Sequence, residues 1–156
     1  MRVLNARGFA CGIAILGALG SAGSLYAQIG VGTWVKKGAG SMTPITMVVE
    51  PCCNGGRRLS YHFDINGTKT SLTLASPFDG SEAAVLINGK PSGETMAIKR
   101  MDTHHLFTVL KMNGKLFGTS KATLSPDEKL LTVINDVSSS TGGPAVGKTT
   151  EIWVKQ

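Results

Sequence analysis

At 156 residues the chain is one ordinary domain in length, and 16 Lys+Arg against 10 Asp+Glu give it a formal net charge of only +6. The basic side chains are scattered singly, with doublets at Lys36-Lys37, Arg57-Arg58 and Lys99-Arg100 alone. That spread argues against a nucleic-acid surface, which clusters such residues beside exposed aromatics, and fits the solvated outer face of a sheet.

Met1–Ala27 reads as a signal peptide. Arg2 and Arg7 form a positive start, Gly8–Leu19 an apolar segment, and Gly20–Ala27 a small, polar cleavage region. The apolar run is shorter than the roughly 20 residues a membrane-crossing helix needs. A cut after Ala27 leaves Gln28 first; a cut after Ala22 is the alternative. Cys11 has Gly8 three residues before it, which does not fit a lipoprotein anchor. The mature domain, Gln28–Gln156, then carries 14 basic and 10 acidic side chains, a charge of +4. The sequence thus predicts a periplasmic or secreted monomer without stable membrane insertion, large enough to fold around its own core.

Turn signals punctuate the mature domain: Asn54-Gly55-Gly56, Asn66-Gly67, Asp79-Gly80, Asn88-Gly89, Asp102-Thr103, Asn113-Gly114, Pro126-Asp127 and Thr141–Pro144. Short strands at this spacing indicate an all-β sandwich or barrel. Gly30–Lys37 is the first predicted strand and Pro44–Glu50 the second. Arg57–Ile65 alternates most cleanly, with Leu59, Tyr61, Phe63 and Ile65 on one face and Ser60, His62 and Asp64 on the other. Thr68–Ala75 and Ser81–Ile87 follow. Thr95–Met101, His104–Met112, Lys115–Leu124 and Lys129–Val137 then form a four-strand meander joined by tight turns. The long Ser138–Gly147 loop precedes the last strand, Lys148–Lys155. No apolar helical period appears after the leader. The expected fold is a single up-and-down antiparallel β-barrel of about 8–10 strands, since so many strands curl and closure removes exposed edges. An outer-membrane barrel fits poorly, because the strands are short and Lys99, Lys111 and Lys121 sit within them.

Gly32-Thr33-Trp34 near the start and Trp153-Val154-Lys155 at the end resemble the two ends of lipocalin and fatty-acid-binding-protein barrels. Asp79-Gly80, Ile98-Lys99-Arg100-Met101-Asp102, Gly114-Lys115 and Ser125-Pro126-Asp127 extend the resemblance to a family of small exported bacterial proteins of unassigned function. The resemblance implies a lipocalin-like barrel. The interval Gly38–Thr43 is too short for the two lid helices of fatty-acid-binding proteins, and no arginine follows Arg100 to match their carboxylate-binding arginine. Where lipocalins stack a late arginine on the first tryptophan, only Lys148 or Lys155 stands available.

The inward faces offer the sharpest functional hypothesis. On Lys115–Leu124, parity puts Leu116, Gly118, Ser120, Ala122 and Leu124 together, leaving unfilled volume, while Leu59, Tyr61, Phe63, Leu72, Leu74 and Leu110 supply apolar wall. The expected function is non-catalytic binding of a small, largely apolar ligand in the lumen, with Trp34, Tyr61, Phe63, Leu72, Leu74, Leu110 and Leu116 in contact. An interior packed by its own side chains is the structural alternative. The functional alternative is an envelope interaction or inhibitor protein that works through the loops Cys52–Gly56 and Ser138–Gly147. An enzyme is the weaker reading, since no nucleophile elbow, phosphate loop or zinc-protease motif is present. No catalytic residue, cofactor or metal site is assigned. Cys52-Cys53 can pair as a disulfide in an oxidising compartment, or hold a soft metal. His62 and Asp64 share a face, whereas adjacent His104 and His105 point apart on a strand.

Overall fold

The computed structural model describes residues 30–38, 44–139 and 146–156. The expected leader, its cleavage sites and Cys11 lie outside the described residues, as do parts of the two longest loops. Ten strands follow in order: β1 Gly32–Lys36, β2 Thr46–Cys52, β3 Gly56–Ile65, β4 Thr68–Ser76, β5 Asp79–Ile87, β6 Lys90–Arg100, β7 His105–Met112, β8 Lys115–Leu124, β9 Leu130–Val137 and β10 Gly147–Lys155. Each pairs antiparallel with its sequence neighbours, and β1 pairs β10, so the sheet is a closed up-and-down barrel. No helix occurs among the described residues. The seam is short: Trp34 stands opposite Lys155, Val35 opposite Val154 and Lys36 opposite Trp153.

Local chemistry explains the reversals. Asn66, Asn88 and Asn113 take φ of 51°, 49° and 50°, and the glycines after them 81°, 78° and 77°. Positive φ at both central positions is what a two-residue type I′ hairpin requires. At the β6–β7 connection the Asp102 carboxylate accepts the backbone N–H groups of His104 and His105 at 2.8 and 2.9 Å. Ser125 and Asp127 tie the β8–β9 turn in the same way.

Three expectations are corrected. Asp79-Gly80 is not a turn; the chain reverses at Pro77-Phe78, and Gly80, with φ 94°, sits at an irregularity inside β5. Phe78 adopts φ 62°, a costly conformation for an aromatic residue, and its buried ring packs against Leu74, Ala83, Val85 and Ile98. The sixth strand begins at Lys90 rather than Thr95, because the Asn88-Gly89 hairpin feeds it directly. Leu116 does not face inward. Leu110 pairs Gly118 while Lys111 pairs Leu116, so Phe117 is the extra residue of a bulge. Phe117 is buried with Leu110 and Val137, and Leu116 is 62% exposed on the outer face. A bulge shifts side-chain parity by one, which a strict alternation cannot register.

Strand direction places the Cys52–Gly56, Pro77–Phe78, Asp102–His104 and Ser125–Lys129 connections and the C-terminus at one end, here the lower end. The buried apolar residues fall into three clusters. One is the lower seam, with Trp34, Met47, Val49, Leu124 and Trp153. The second lines β4–β6, and the third comprises Leu110, Phe117 and Val137.

Candidate functional site: the barrel interior

The inward row of β3 runs Arg57, Leu59, Tyr61, Phe63, and that of β6 runs Glu94, Met96, Ile98, Arg100, since strand residues two apart share a face. Tyr61 and Phe63 are half-buried, as are Leu72 on β4 and Met96 on β6. Burial raises the Tyr61 hydroxyl above the ordinary phenol range, with Glu151 and then Glu94 adding to the effect. Yet solvent still reaches part of the residue.

Around Tyr61 the wall is polar as well as apolar. Its ring meets Trp153 edge-on at 5.8 Å between centroids. Trp153 Nε1 donates to Glu151 at 3.2 Å, and Glu151 accepts Lys36 Nζ at 2.7 Å from across the seam. Glu94 carries no opposite charge of this kind, and burial pushes its carboxyl upward. Ser120 and Asn135 add two buried polar side chains from β8 and β9.

The predicted wall residues divide. Trp34, Leu74 and Leu110 are almost fully buried, Tyr61, Phe63 and Leu72 are partly exposed, and Leu116 is outside. Trp34 belongs to the lower cluster, where its Nε1 donates to the Gly30 carbonyl at 2.6 Å. Lys155, not Lys148, stands over it, with Nζ 5.7 Å from the ring centroid. Lys36, Glu94, Glu151, Arg57 and Arg100 were not anticipated inside. Parity already carried the signal, since Arg57 is in step with Tyr61 and Arg100 with Ile98, but charge argued for the outer face.

The remaining candidates lie elsewhere. Cys52 and Cys53 are bonded to each other in the lower β2–β3 connection. His62, Phe63, Asp64, Lys69 and Ser71 line a depression of about 470 Å³ near the upper rim. There Asp64 is engaged by the Gly67 N–H at 2.6 Å. His105 pairs with Asp102 at 2.8 Å and His104 Nδ1 meets the Thr103 hydroxyl at 2.9 Å, both in an exposed turn. No group of three or more metal-ligating side chains is found among the described residues. Neither a family model nor a curated protein nor a solved structure matches this chain.

Proposed function

We propose that the protein is an exported, non-catalytic binding protein whose barrel lumen takes a small, largely apolar molecule. The observation that carries this reading is the set of half-buried inward side chains Tyr61, Phe63, Leu72 and Met96 on strands of a closed barrel. The apolar core falls into three clusters linked by the half-buried side chains Leu59, Tyr61, Leu106 and Met96. Tyr61, Phe63, Leu72 and Met96 would supply the apolar contacts. The Tyr61 hydroxyl and Glu94 carboxyl would meet a single hydrogen-bonding group, as binding pockets usually combine mostly apolar walls with few polar groups.

Native mass spectrometry of protein purified without denaturant tests the reading. It predicts an adduct that organic solvent releases, or, for protein stripped in this way, saturable fluorescence gain from a neutral apolar dye such as N-phenylnaphthylamine. A clean unliganded mass together with no dye response contradicts it.

A further inference from the structure

At the lower end two arginines face into the barrel without a counter-charge. Arg57 is 6% exposed, and its Nη1 donates to the carbonyls of Gly55 and Gly56 at 3.1 and 2.7 Å. Arg100 comes from β6; its backbone N–H bonds the Phe78 carbonyl, and its guanidinium carbon lies 5.9 Å from the Phe78 ring centroid. Arg57 stands opposite Ser76, so the two arginines flank the Ser76–Phe78 connection. The Nε–H of each is buried and makes no hydrogen bond. Buried charges are ordinarily paired, and an unpaired guanidinium is expensive.

No acidic residue answers them. All ten Asp and Glu of the chain lie among the described residues, and no ion pair there involves an arginine. Instead the Arg57 guanidinium is pushed below its ordinary value, first by burial and then by the charge of Arg100. Two like charges thus lie at the same end of the barrel, where an anionic partner would relieve both. The bland alternative, Arg57 as a plug on the Gly55 and Gly56 carbonyls and Arg100 against the Phe78 ring, leaves the two Nε–H groups idle.

We propose that Arg57 and Arg100 form an oxyanion site at the lower end of the barrel, occupied by a carboxylate or phosphate group. Planar guanidinium forks match both geometries through paired charge-assisted hydrogen bonds. Arg100 is only partly buried, which gives such a group access from the lower end. The site does not depend on the lumen taking an apolar ligand.

The test compares thermal unfolding of the full mature protein in low-salt buffer with added sodium phosphate, sodium acetate or sodium chloride at matched ionic strength. Phosphate or acetate raises the midpoint beyond chloride in the native protein and in Arg58→Leu, which removes the same charge from the outer face. In Arg100→Leu the oxyanion affinity falls by at least about tenfold, the loss expected for removing a charge-assisted bond. Without oxyanion, Arg100→Leu unfolds at or above the native midpoint, because the repulsion is gone. In case that variant does not fold, isotope-edited NMR of the native protein follows the Arg57 and Arg100 Nε–H resonances, which shift with oxyanion and not with chloride. Equal response to all three salts, an undiminished response in Arg100→Leu, or unmoved Nε–H resonances overturns the site.

Discussion

At the scale of single residues, the bulge at Phe117 makes the sharpest prediction. Leu116→Ala removes an exposed side chain and changes stability by no more than about 0.5 kcal/mol, whereas Phe117→Ala opens a void beside Leu110 and Val137 and costs about 3–5 kcal/mol. Urea unfolding of the two variants checks the pair; the reverse ranking would mean that parity runs unbroken along β8. Glu94 gives a second test. Its carboxyl titrates above the ordinary range because it is buried, so between the unfolded and folded values the folded state binds more protons. Stability therefore falls as pH rises through that window. Glu94→Gln removes the penalty: it stabilises at neutral pH, and the gain vanishes below about pH 4, where the unfolded carboxyl is protonated too. Thermal midpoints of both proteins across pH check the sign. The residues that line the interior were only half legible in the sequence. Alternation found Tyr61, Phe63 and Leu72, but hydrophobicity was the criterion, and Arg57, Glu94, Arg100 and Glu151 fail it while sharing the same face.

At the scale of elements, the strands and their order followed from the turns. Asn66-Gly67, Asn88-Gly89 and Asn113-Gly114 each favour positive φ, and so fix antiparallel neighbours before any packing is known. The Phe78 reversal was not legible, because positive φ at an aromatic residue is imposed by packing and not by propensity. That corner belongs to the pairing with the fewest register partners in the barrel. Between β4 and β5 the register holds only at Leu72–Ile87 and Thr73–Leu86, while β3–β4 runs unbroken from Arg57–Ser76 to Ile65–Thr68. Hydrogen exchange should accordingly be faster for the amides on the facing edges of β4 and β5 below Thr73 than for those of β3–β4. Uniform protection across both pairs would contradict that ladder. Beside it, Gly56 leaves no room for a side chain, since an added Cβ would come within 2.1 Å of the Ser76 carbonyl oxygen. Gly56→Ala is expected to destabilise by about 1–3 kcal/mol, the usual cost of overpacking, and a neutral result would show that the corner yields.

At the scale of the whole molecule, ten strands in sequence order close through Trp34, Val35 and Lys36 on Trp153, Val154 and Lys155. The tryptophan-bearing ends of the chain thereby become one packed seam, with Lys155 over Trp34 and Lys36 joined to Glu151 across it. Closure was legible from strand number and edge avoidance. The distribution of charge inside was not, because it depends on which residues a bulge or a corner turns inward. The interior that results has carboxylates around Tyr61 above and two guanidiniums below, separated by apolar wall. The central claim, that this interior receives a ligand, is tested most directly by mapping amide and methyl NMR shifts of the protein as N-phenylnaphthylamine is added. The account predicts saturating shifts at Tyr61, Phe63, Leu72 and Met96, with outward residues such as Ile134 and Ile152 unmoved. Shifts confined to the outer face, or none at all, would contradict it.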